Sequence, residues 1–157
     1  MKKALFAAFA AVVLTATPAL SGFLYNTRVD ETFRVGKSQP LGGVIPVVLV
    51  GQIPNGLTAE QFTAMLRAPG YAPRTGFVPS DGPVGGTRIV FAFGSSNVTS
   101  LCRGPSAGGS RELSAAFCVG STAVSTATLR PGGNMQRDLN QVMRALIFRP
   151  EAGGSAD

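Results

Sequence analysis

Residues 113–130, LSAAFCVGSTAVSTATLR, decide the fold class. Leu113 to Val119 and Ala123 to Arg130 read as two strands around the short connection Gly120-Ser121-Thr122, the spacing of a β-hairpin. In the first strand Ala115, Phe117 and Val119 share one face and Ala116 and Cys118 the other, because side chains alternate along an extended chain. Immediately afterwards Pro131-Gly132-Gly133 stops the strand and Asn134 offers a helix cap. Met135, Leu139, Val142, Met143 and Leu146 then fall on one helical stripe, opposite Arg137, Asn140, Gln141 and Arg144, and Pro150 ends the element.

Upstream, Arg88 to Phe93 alternates, with Ile89, Phe91 and Phe93 on one face, and predicts a third strand antiparallel to the hairpin. Val44 to Ile53 is apolar and β-branched on both faces and predicts a strand buried on both sides, with Pro46 tolerated near its start. Behind it, Pro54-Asn55-Gly56 marks a turn. Thr58 and Gln61 form a capping-box pair, and Leu57 with Phe62 sits at hydrophobic-staple spacing. A helix from about Ala59 to Arg67 follows, stopping before Pro69. The segment from Pro69 to Gly86 is so rich in glycine and proline that it reads as a long contact loop, with Tyr71, Arg74 and Phe77 as candidate contact residues. Gly94 to Ser110 reads as a second loop, and Thr32 to Val35 as a short edge strand within an otherwise extended segment.

The order β-α-β-β-β-α predicts an α+β domain: a two-layer sandwich with a small, mainly antiparallel sheet and two helices on one face. The domain occupies 44–150, preceded by an extended segment at 22–43 and followed by a flexible tail at 151–157. The 157 residues begin with Lys2 and Lys3, an apolar run from Ala4 to Leu14 and then small residues. That pattern is a secretory signal peptide over 1–21, with Ala19-Leu20-Ser21 placing small residues where a signal peptidase reads and cleavage expected after Ser21. Leu20-Ser21-Gly22 resembles the start of a bacterial lipoprotein signal, but Phe23 stands where that signal needs a cysteine, so no lipid is expected. An uncleaved anchor, extended by Phe23, Leu24 and Tyr25, is opposed by Pro18 and the small residues around it.

Cys102 and Cys118 are the only cysteines, and an even pair in an exported chain predicts a disulfide. Closing a loop of about 15 residues is worth roughly 3 kcal/mol in the chain-entropy picture. The pair lacks the close spacing of a redox motif, so a structural crosslink is expected.

The chain has no histidine, which removes Ser-His-Asp and Cys-His catalysis and every His-containing zinc site. Gly104-Pro105-Ser106-Ala107-Gly108 matches a nucleophile-elbow pattern, but a loop setting and the missing base deprive it of chemistry. A Ser-Lys dyad would have to draw on the distant Lys37. No metal set and no phosphate-cradling glycine motif is present, so neither cofactor nor metal is expected. Asn97-Val98-Thr99 is a glycosylation sequon, relevant only in a eukaryotic host.

Of 14 basic and 8 acidic residues, two lysines lie in the leader, so the processed charge falls from +6 to +4. Eleven arginines are dispersed singly, without the clustering or interleaved aromatics of a nucleic-acid surface. The expectation is an exported, periplasmic or secreted, non-enzymatic binding or structural module of the bacterial envelope. Its partner is an unidentified envelope component, for which the net positive charge favours an acidic one, with no nucleic acid and no membrane span after cleavage. The alternative is a small envelope hydrolase using arginines and carboxylates such as Asp81 or Glu112.

Overall fold

The computed structural model describes residues 22–30, 43–82, 85–94, 97–104 and 108–148. The leader, the expected Thr32–Val35 strand, Lys37, Ser106 and the C-terminal tail lie outside the described residues. Six strands and two α-helices follow in the order β1 (Phe23–Val29), β2 (Gly43–Val50), α1 (Ala59–Met65), β3 (Thr75–Ser80), β4 (Thr87–Phe93), β5 (Leu113–Val119), β6 (Thr122–Arg130) and α2 (Met135–Leu146). A 3-10 turn at Pro54–Gly56 leads into α1. The chain is thus an α+β protein, built on one sheet with strand order β1-β6-β5-β4-β2-β3.

The expected mainly antiparallel sheet is corrected to a mixed one. β4, β5, β6 and β1 form an antiparallel run, but β2 pairs in parallel with both β3 and β4. The physical reason is the helical crossover: a strand that leaves through α1 and returns must come back in the same direction. The order is corrected accordingly, to β-β-α-β-β-β-β-α.

Two segments read as extended chain or loop are strands. Thr75–Ser80, inside the expected 69–86 loop, is an edge strand in which Ile45 faces Phe77 and Val47 faces Pro79. An edge position tolerates Pro79, whose missing N–H interrupts no second ladder. Phe23–Val29, at the other edge, pairs with β6 through a register shift between Tyr25 and Arg28. That irregularity breaks the simple alternation by which a strand is recognised.

The helices start as their sequences direct. Thr58 Oγ1 accepts from Gln61 N at 3.2 Å while Gln61 Oε1 accepts from Thr58 N at 2.9 Å. Asn134 Oδ1 caps α2 by accepting from Arg137 N at 3.0 Å. α1 ends at Met65, short of the expected Arg67, because Leu66 turns extended and buries its side chain. Leu139, Val142, Met143 and Leu146 of α2 pack with Phe62 and Leu66 of α1, with Ile89 and Phe91 of β4 and with Phe117 of β5 in one core. Phe62 meets Phe91 and Phe93 edge-on, with ring centroids 5.3 and 5.2 Å away. Gln136 of α2 donates to the Met65 carbonyl at the end of α1.

The other sheet face has its own smaller core, Val90, Ala92, Ala116 and Cys118, covered by Leu101 and Cys102. The loop between β4 and β5 therefore lies over the face opposite the helices and buries part of it.

Candidate functional site

Cys102 and Cys118 are joined, with their Cα atoms 5.6 Å apart, so the disulfide ties this covering loop to β5. Three further devices hold it. Arg88, only 9% exposed, donates to the carbonyls of Cys102 at 2.6 Å, Gly120 at 2.9 Å and Gly86 at 3.5 Å. A guanidinium fits this position because it presents several donors in a fixed plane, so one buried cation can satisfy several carbonyls. Asn97 Oδ1 accepts from both Thr99 N and Thr99 Oγ1, and Ser100 O from the amides of Arg103 and Gly104. At the base Gly94, with φ of +80°, accepts from Ser110 N and donates to Glu112 O. A side chain at position 94 would overlap the Gly108 carbonyl oxygen, so close approach and left-handed backbone both require glycine.

Between this loop and the β1/β6 edge lies a cleft of about 550 Å3. Arg28 and Asp30 line it from β1 and the residue just after it, Arg103 and Thr99 from the loop, and Thr122 and Thr126 from β6. Arg28 faces Thr126 across the β1/β6 pair, and Thr126 faces Ala116, which places all three on the loop side of the sheet. The arrangement brings two arginines and several hydroxyls to one cleft, with a single carboxylate among them. Such a set recognises a carboxylate or phosphate group through charge-assisted hydrogen bonds.

The sequence-derived contact residues are placed elsewhere. The Tyr71 hydroxyl donates to the Ile147 carbonyl at the end of α2, Phe77 packs against the helix-side core from β3, and Arg74 is exposed just before that strand. Asp81 follows β3 and Glu112 precedes β5, with β2 and β4 between those strands. Three inter-strand spacings put their backbones at least about 14 Å apart, beyond the roughly 5–9.5 Å of a glycosidase carboxyl pair. Glu112 is instead engaged by Arg130 at 3.3 Å and by Tyr25. The Tyr25 phenol is held above its ordinary value chiefly by its hydrogen bond to Glu112, then by burial and the Glu112 charge, with Arg130 acting in the opposite sense.

Among the described residues no cluster of three His, Cys, Asp or Glu side chains could hold a metal ion, and no helix is long and apolar enough to cross a membrane. Sequence reasoning missed Arg28 and Arg103 as a pair, since they come to one cleft only through the pairing of β1 with β6 and the crosslinked loop, and it missed Arg88 as the cation that holds that loop. The nearest signal was Arg88 itself, a cation on the otherwise apolar strand Arg88–Phe93. Compared with protein-family models, curated proteins and solved structures, the chain matches none of them.

Proposed function

We propose that the chain is an exported, non-enzymatic binding module of the bacterial envelope. It takes an acidic group of an envelope component in the cleft between the disulfide-held loop and the β1/β6 edge. The observation that carries this reading is the convergence of Arg28 and Arg103 with the hydroxyls of Thr99, Thr122 and Thr126 on that cleft. The leader supports export, and the disulfide is consistent with an oxidising compartment. The cleft depends on the crosslink, because Arg103 directly follows Cys102. Binding there places and orients a ligand without a histidine-based triad or dyad, in keeping with a chain that has no histidine.

Calorimetric titration of the leaderless protein with a uronic-acid oligosaccharide, with inorganic phosphate and with a neutral oligosaccharide tests the reading. Binding to one of the two anions and not to the neutral sugar is expected. Arg28→Gln with Arg103→Gln should weaken it at least ten-fold, since hydrogen bonds to charged groups are each worth about 1.5–3 kcal/mol. Equal binding of the neutral sugar, or an unchanged affinity in the double variant, refutes it.

A further inference from the structure

The nitrogen of Gly22 donates to Asp138 Oδ1 at 2.6 Å, and the nitrogen of Gly132 donates to Oδ2 at 2.7 Å. Asp138 sits in the first turn of α2 and is only 3% exposed. A carboxylate buried this deeply needs hydrogen bonds and gains further from a positive partner. The two amides meet the first need, while among the described residues no arginine or lysine forms an ion pair with it.

Space around Gly22 is equally specific. A Cβ there would lie 2.7 Å from Asp138 Oδ1, 2.8 Å from the Arg130 carbonyl oxygen and 2.9 Å from Asp138 Cγ. The backbone of residue 22 itself fills the site, with no room for a side chain. In the sequence, Gly22 is also the residue directly after Ala19-Leu20-Ser21, the small-residue pattern that a signal peptidase reads.

We propose that cleavage between Ser21 and Gly22 creates a positive amino terminus that docks on Asp138, so that export processing completes the corner formed by β1, β6 and α2. The inference rests on the export reading above. Hydrolysis breaks the peptide C–N bond with water as co-reactant: the hydroxyl goes to the Ser21 carbonyl carbon and a proton to the Gly22 nitrogen. The new carboxyl releases its proton through solvent to the amine, leaving a carboxylate on the leader and an ammonium on Gly22. The nitrogen already at hydrogen-bond distance from Asp138 thereby acquires the charge that the buried carboxylate lacks, and the pair anchors β1 at the sheet edge.

Two measurements test this. N-terminal sequencing of the protein exported from a bacterial host should give Gly22, and a terminus at any other residue overturns the proposal. A fusion cut to leave Gly22 as the first residue is then compared with one that retains Ser21 and with one acetylated on Gly22. The free-terminus protein should melt at least about 3 °C higher than both others, and Asp138→Asn should abolish the difference. If Asp138→Asn fails to fold, the acetylated and Ser21-extended proteins still decide the question. Equal melting of all three forms overturns the docking while leaving export intact, whereas a leader that directs no export removes both readings.

Discussion

Arg88 is a buried charge whose hydrogen bonds hold three separate stretches of the chain together. It is a cation set in the sheet face under the covering loop, and its value lies in the carbonyls it satisfies at Cys102, Gly120 and Gly86. Arg88→Met removes the donors while keeping much of the apolar stem, so those carbonyls lose their partners at about 1–3 kcal/mol for each buried one. The expected outcome is a lower melting temperature, with faster amide exchange concentrated in residues 97–104. Arg88→Lys should recover little, because a single ammonium cannot reproduce the planar fork. Gly94→Ala should also destabilise, through the clash with Gly108 and the φ of +80°. Tyr25 supplies a spectroscopic residue-scale test. Its raised pKa means that the folded state favours the neutral phenol, so this contribution to stability is present below the ordinary tyrosine value and lost as pH rises through the folded one. In a Tyr71→Phe background Tyr25 is the only tyrosine, and its ultraviolet titration should lie above that of free tyrosine. Glu112→Gln should bring it down, and an unmoved titration would show that Glu112 is not the cause.

Elements differ in how openly the sequence declares them, and the difference follows the range of the interaction that forms each one. The capping box of α1, the Asn134 cap and stripe of α2, and the β5/β6 hairpin are local, each written within 18 consecutive residues. The edge strands are not. β3 contains Gly76 and Pro79, which read as loop, and it exists because a helical crossover returns it beside β2. β1 owes its place to a partner about a hundred residues away, and its bulge disguises the alternation. The cleft inherits this illegibility, since Arg28 reaches it only through β1, whereas the cysteine pair was readable from number and compartment alone. The clearest test at this scale concerns α2. Leu139→Ala or Leu146→Ala should cost about 2–5 kcal/mol through lost burial and a residual cavity. Arg144, exposed on the opposite stripe, should tolerate alanine within about 0.5 kcal/mol. Chemical denaturation measures both, and comparable losses would contradict the packing of this helix on the sheet.

At the scale of the whole molecule, the sheet separates two cores of unequal size. The helix side holds three phenylalanines of β4 and β5, Phe62 and the buried stripe of α2, while the loop side holds only a few small aliphatic residues, Leu101 and the disulfide. The smaller core cannot be held by apolar burial alone, which is why a covalent tie, a buried arginine and a left-handed glycine all converge on its loop. The fold should therefore survive loss of the crosslink while the loop side does not. Cys102→Ser with Cys118→Ser releases a constraint worth roughly 3 kcal/mol, on the order of 10 °C in melting temperature for a domain of this size. Hydrogen exchange should then show residues 97–104 losing protection while β4, β5 and α2 retain theirs, and anion binding in the cleft should weaken because Arg103 is no longer positioned. A variant that unfolds globally would mean that the two faces form one cooperative core. A variant as stable as the parent, with the loop still protected, would mean that Arg88 and Leu101 hold the loop without the disulfide.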